Sequence, residues 1–270
     1  MKEIDIAELK KIQLDILVKV HEFCAENNID YYLGYGTLIG AIRHKGYIPW
    51  DDDIDIGMPR PSYDKFIKLF NGKIDNLYVI SPELNWNYYA PYANICDNRT
   101  VLDEATTSHR GIEVGVKIDV YPIDGVPEDE QEYLICKNNV KRWNRILTLK
   151  RDKVWFVRNS RFVIKILHFA EKFIYLFVPY SYIQKQIHNQ AISHKFENSK
   201  YVDEFVFGPK NTRIEREVFE SYIDVEFEGY MLKTVKEYDK FLRLGYGDYM
   251  KLPPINKQVA HHNFHAYWKE

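Results

Sequence analysis

The chain has 270 residues, 46% hydrophobic and 28% charged, with a formal net charge of -2. That length suits one large domain or two small ones. The balance excludes a disordered chain, and the near-zero charge excludes a surface made throughout for nucleic acid. Cys24, Cys96 and Cys136 are odd in number and form no CxxC pair, which points to a reducing compartment and offers no zinc site. The opening MKEIDIAELKK holds no signal-peptide apolar stretch, so a cytoplasmic chain is expected. Tyrosine is abundant, with 21 copies, and is read first as core and interface packing.

Ile6, Leu9, Ile12, Ile16, Val20 and Phe23 recur at three- and four-residue steps, so residues 6–26 are predicted helical, ending at Asn27 and Asn28. YYLGYGTLIGAIRHKG reads as a short strand, a Gly turn and a short helix. YIPWDDDIDIGM alternates like a strand, and SYDKFIKLF has the period of an amphipathic helix. NLYVISP, YANICDN and VGVKIDVYPID carry the β-branched and aromatic content of strands. Helices and strands thus alternate through the first 125 residues, which predicts an α/β core over about 25–125. From Pro127 to about 200 the pattern is helical, and the rest of the chain is mixed, with FEGYML as a strand and TVKEYDKFLRLGYG as a helix.

Residues 141–165 hold nine basic side chains against one acid, Asp152. The apolar segment from Phe162 to Tyr180 follows, interrupted by Lys165, Glu171 and Lys172, so it is not a spanning helix. A basic stretch before an amphipathic one suits peripheral contact with an anionic membrane, and equally a solvated helix face.

The acids at 51–55 pose the chemical question. In a strand, Asp51, Asp53 and Asp55 share one face while Ile54 and Ile56 take the other, with Asp53 and Asp55 roughly 7 Å apart. Close carboxylates repel, and a divalent cation relieves the repulsion. An EF-hand loop starting at Asp51 fails, because its sixth and twelfth positions are Ile56 and Ser62. A DxD glycosyltransferase using a nucleotide sugar stays open. Gly36 and Thr37 sit upstream at a strand-to-helix turn, where backbone N–H groups and a hydroxyl suit phosphate. A phosphate cradle followed by a carboxylate strand is the core of a nucleotidyltransferase fold. Asp119, between Ile118 and Val120, is the favoured third carboxylate, with Asp124 in a following turn as the lesser choice.

GTLIGAIRHKGYIPWDDDIDIGM closely resembles the signature of the LicD family of phosphocholine transferases, which includes the fukutin-type ribitol-phosphate transferases. VKIDVYPID, FEGYMLKTVKEYDKFLRLGYGDYMKLPP and the closing HH resemble later family segments in order. The resemblance implies an α/β (α+β) nucleotidyltransferase-like fold: one mixed-sheet domain over 1–270, with a helical insertion at 128–200 and a mixed C-terminal segment. It implies a Mg²⁺- or Mn²⁺-dependent transfer of a phosphoalcohol from a CDP-linked donor to a sugar hydroxyl, releasing CMP. Choline, ethanolamine, aminoethylphosphonate, glycerol and ribitol donors all stay open. So do a glycan and a lipid-linked oligosaccharide as acceptor, at the cytosolic face of a membrane.

Family metal ligands map onto Asp53, Asp55 and Asp119, with Asp51 as the leading acid of the triplet. Asp119 doubles as candidate base, Gly36 and Thr37 as phosphate donors, and Arg43 as partner of the leaving CMP or a surface charge. HHNFH (His261, His262 and His265) is read as a disordered or packed tail rather than a metal site, and Asp248 in YGDYMKLPP is a minor candidate near the site.

Overall fold

A computed structural model describes the chain except residues 71, 73, 105–110, 154–161, 208–211, 261–263 and 270, and the side chains of 162–168. In chain order come β1 (Lys2–Ile4), α1 (Ile6–Glu26), β2 (Tyr32–Leu33), α2 (Tyr35–His44), β3 (Asp55–Pro59), α3 (Arg60–Phe70), β4 (Leu77–Ile80), β5 (Ala93–Asp97), β6 (Thr100–Glu104) and β7 (Lys117–Val126). Then follow α4 (Glu130–Arg151), α5 (Phe162–Leu176), α6 (Tyr180–Ala191), β8 (Tyr201–Asp203), β9 (Ile214–Glu215), β10 (Tyr222–Phe227), β11 (Tyr230–Val235), α7 (Tyr238–Tyr246) and β12 (Phe264–Trp268). The architecture is a mixed α/β fold.

The central sheet runs β2-β3-β7-β5-β4, with β8 on the far end of β7 and β9 beside β8. β3 and β7 are parallel, and their neighbours are antiparallel. A parallel pair needs a long crossover, which α3, β4, β5 and β6 provide. α1 starts on Asp5, whose side chain accepts from the Glu8 N–H, and buries Leu9, Ile12, Ile16, Leu17 and Val20. That stripe joins Ile54, Ile56, Met58, Ile118 and Val120 of the sheet in one core, which also takes in Tyr133, Val140, Ile183 and Ile187 of α4 and α6. The helical segment therefore packs onto the sheet. β12 pairs with both β1 and β6, bringing Trp268 opposite Lys2.

Several expectations need correction. The strand predicted across the acids begins only at Asp55. Asp51 closes a turn on the Ile48 carbonyl, and β2 ends at Leu33, opposite Ile56, so residues 51–54 have no strand beside them there. Burial still alternates, with Asp52, Ile54 and Ile56 inside. FEGYML is split by a hairpin turn: Phe227 ends β10 and Tyr230, Met231 and Leu232 begin β11, while Glu228 and Gly229 have φ of 50° and 82°, the left-handed pair that a tight hairpin requires. Thr234 and Val235 belong to β11, so the last helix starts at Tyr238. Asp124 lies within β7, not in a turn. His265 is on β12 and meets Glu3, while His261 and His262 lie outside the described residues. Arg158 and Arg161 of the basic stretch lie outside them too, as does the Lys165 side chain.

Candidate active site

The parallel register of β3 and β7 decides the site. Asp55 stands opposite Asp119, and on the other side of β7 Asn94 of β5 stands opposite Asp119. Strand alternation puts Ile56, Ile118 and Val120 into the core, so Asp55, Lys117, Asp119 and Tyr121 share the opposite face. Lys117 Nζ donates to Asp119 Oδ1 at 2.6 Å, and the Tyr121 hydroxyl donates to Asp119 Oδ2 at 3.3 Å. Asn94 Nδ2 also donates to Asp119 Oδ1, with its own carbonyl oxygen held by the Tyr88 hydroxyl. Burial, the largest single influence, opposes the charge on Lys117, but Asp119 with Tyr89, Tyr92 and Glu104 together hold the ammonium well above the usual lysine range.

Asp55 is in the opposite state. Burial first, then Asp53, Asp119 and Asp51, push its carboxyl well above the usual carboxylate range. Its Oδ1 is buried and has no hydrogen-bond partner among the described residues. One ligand atom each from Asp51, Asp52 and Asp53 lies within 4.8 Å of the others. A cavity beside them is lined by Gln13, Asp52, Asp53, Lys117, Asp119 and Phe264. Gln13 Nε2 braces the loop by donating to the Asp52 carbonyl at 3.1 Å. An orphaned carboxylate oxygen beside three further acids is a donor set that fits a hard divalent cation.

The Gly-Thr turn abuts these acids directly. The Asp55 N–H donates to Thr37 Oγ1 at 2.8 Å, so that hydroxyl oxygen also faces β3. A Cβ on Gly36 would lie 2.5 Å from Asp51 Oδ2, so any larger residue there would push that carboxylate aside. α2 begins without a side-chain cap on Gly34, which leaves its first N–H groups to other partners. Arg43, at the far end of α2, donates from Nε to His44 Nε2 at 2.9 Å and from Nη1 to the Tyr249 carbonyl at 2.6 Å. It thereby ties α2 to the segment after α7 that the sequence placed near the site. Asp124 is 1% exposed and answered by Arg60, whose Nε and Nη2 donate to it at 2.6 and 3.1 Å. It is a structural ion pair at the start of α3.

Sequence reasoning passed over Asp52, Asn94 and Lys117. Lys117 had a signal, since residues two apart on a strand share a face and Asp119 needed a partner. Asn94 had one too, as a polar residue beside Ala93, Ile95 and Cys96. The burial of Asp52 had none.

Comparison with known proteins now adds to this geometry. Residues 28–126, which carry the turn, the acids and β7, match the family described as LicD/FKTN/FKRP, nucleotidyltransferase domain. The chain is 32% identical over 274 aligned residues to the lipopolysaccharide cholinephosphotransferase LicD of Haemophilus influenzae, covering 99% of each. A 59-residue stretch, 22% of the chain, is 49% identical to part of an uncharacterized protein of Rickettsia typhi, covering 19% of that protein. Full-length identity at that level, together with the matched site segment, places this chain in the LicD family and so among the phosphotransferases.

Proposed function

We propose that this enzyme transfers phosphocholine, or a similar phosphoalcohol, from a CDP-linked donor to a sugar hydroxyl of a cell-surface glycan, releasing CMP. The observation that carries the reading is Asp55 in register with Asp119, its orphaned Oδ1 facing a group of acids one turn from a helix N-terminus. The relative named as a lipopolysaccharide cholinephosphotransferase supports the choice of group and acceptor. A nucleotide-sugar glycosyltransferase and a binding-only protein both lose support from the family.

Asp51, Asp53 and Asp55, with Asp119, would hold Mg²⁺ or Mn²⁺, which when bound supplies charge neutralisation on the diphosphate oxygens. The α2 N-terminus, freed by Gly36, orients the donor phosphates through backbone N–H groups. Asp119 takes the proton from the attacking sugar hydroxyl as its oxygen bonds to the phosphorus that carries the alcohol. The bond from that phosphorus to the bridging oxygen breaks, and CMP leaves with the electron pair. Lys117, Asn94 and Tyr121 keep the Asp119 carboxylate aimed during the step.

The acceptor side is read from α5. No helix among the described residues is long and apolar enough to cross a membrane. Yet Phe173, Ile174 and Phe177 are 51%, 63% and 76% exposed at the end of α5. The basic run contributes less than its count suggests. Lys150 donates to the Tyr175 and Leu176 carbonyls, and Arg145 pairs with Glu171, while Arg142 is exposed. This face suits an anionic membrane surface that presents a lipid-linked acceptor. Anionic vesicles are expected to retain the protein at low salt, and Phe173→Ser with Phe177→Ser to release it.

Phosphorus NMR of the purified protein with Mg²⁺, CDP-choline and a glycan fraction tests the reaction. CMP and a new phosphodiester are expected, and a chelator is expected to stop both. Turnover that persists under chelation, or transfer only from UDP- or GDP-sugars, overturns the reading.

A further inference from the structure

A second pocket shares the first turn of α2 with the candidate active site. Tyr35, Glu204, Phe219, Phe241 and Tyr246 line it, brought together from α2, the end of β8, the segment before β10, and α7. Phe219 and Phe241 meet edge to face at 5.9 Å, and both rings pack on buried Tyr32, at 5.2 and 5.6 Å. Aromatic walls of this kind are ordinary core chemistry except for what stands among them. Glu204 is 7% exposed, and its Oε1 is buried with no hydrogen-bond partner among the described residues. The adjacent Asp203 is the contrast, since it accepts from Tyr133, Lys137 and Thr212. A buried carboxyl left unanswered beside a fully answered one asks for a missing partner.

The pocket is linked to the reacting groups through Tyr35. Tyr35 is the first residue of α2, immediately before Gly36 and Thr37, and its ring meets Tyr121 at 5.1 Å. Tyr121 in turn donates to Asp119. The Tyr246 hydroxyl is pushed up by burial and then by Asp55 and Glu204, so it lies within electrostatic range of both sites.

We propose that the pocket receives the quaternary ammonium head of the transferred phosphoalcohol, with Glu204 as its counter-ion and Tyr35, Phe241 and Tyr246 as its walls. The inference rests on the donor reading given above and deepens it. A quaternary ammonium has no N–H to donate, so it is recognised by ring faces and by a fixed negative charge rather than by hydrogen bonds. Burial alone holds the empty Glu204 carboxyl well above its usual range, and a cation against it restores the charge that burial suppresses. A neutral polyol such as glycerol or ribitol would take the same space without meeting that need, so the pocket selects against it.

Calorimetric titration of the full chain with choline chloride, phosphocholine, and separately CMP plus Mg²⁺ tests this. Glu204→Gln keeps the shape of the side chain, and Tyr246→Ala alters a residue that is 47% exposed, so neither endangers the fold. Choline and phosphocholine are expected to bind the wild type and to bind each variant about tenfold more weakly or worse, while Glu204→Gln keeps its CMP affinity. Choline binding that is absent from the wild type, or unchanged in both variants, overturns the pocket assignment. Loss of CMP rather than choline from Glu204→Gln overturns it as well, by making this the nucleotide site. Choline bound normally with no CMP bound supports the pocket and removes the cytidine donor instead.

Discussion

Asp55 and Asp119 face each other across a parallel strand pair, yet their surroundings are opposite. Asp119 is held by Lys117, Asn94 and Tyr121, whereas Asp55 Oδ1 is buried with no hydrogen-bond partner among the described residues. One carboxylate is oriented before any ligand arrives, and the other is stored in an unfavourable state that the proposed cation would relieve. Holding one group ready and one strained is how a fold keeps affinity for a charged ligand at some expense of stability.

Asp55→Asn is therefore expected to act in two directions. Turnover falls by about 10²-fold or more, as when a preorganised electrostatic group is removed from a reacting centre. In chelator the melting temperature stays level or rises, because a repelled, buried carboxylate has gone. Parallel CDP-choline assays and thermal melts check both, and full activity of the variant would count against the site.

Gly36→Ala tests the close approach of α2 to Asp51. The added methyl would meet Asp51 Oδ2, the end of a side chain that can swing away, so the fold is expected to survive. The displaced carboxylate is expected to lower turnover by up to about 10²-fold, the effect of a misplacement near 1 Å. Urea unfolding beside steady-state kinetics separates the two consequences.

Asp124→Asn probes an ion pair rather than the reaction. Arg60 and Asp124 have side chains 9% and 1% exposed, and neutralising Asp124 leaves the buried guanidinium with only Asp64 and Glu83, each at 3.6 Å. A loss of about 3–5 kcal/mol is expected from urea titrations. Unchanged stability would mean that Asp64 and Glu83 suffice to answer Arg60.

Glu204 gives the pH dependence. Its folded-state pKa is raised above the ordinary value of 4.5 by burial. The folded state thus binds the proton more tightly than the unfolded state. Its contribution is present in full below 4.5, and it is lost as pH climbs through the raised folded-state value. Glu204→Gln removes that loss. The variant is expected to match the wild type near pH 4 and to melt higher at pH 8, and a gap of opposite sign would contradict the burial seen here.

Much was legible from local pattern alone. The period of α1, the strand character of β4, β5 and β7, and the Gly-Thr turn before α2 all follow from side-chain spacing and backbone preference. The acids at 51–55 and Asp119 announced themselves by sitting where apolar neighbours make charge expensive. The misread elements share a cause. FEGYML has strand composition, but Glu228 and Gly229 take left-handed backbone, and the strand expected from residue 47 starts only at 55, after the turn that Asp51 closes on Ile48.

The sequence by itself determined which side chains alternate and which loops turn, since those depend on neighbours a few positions away. Only the tertiary structure decided which acids meet. The register of β3 on β7 sets Asp55 against Asp119 across 64 positions of chain, and the pocket around Glu204 draws on four distant segments. Such pairings are fixed by the shape of the whole core, and a carboxylate is made reactive by the partners it lacks, which no stretch of letters displays.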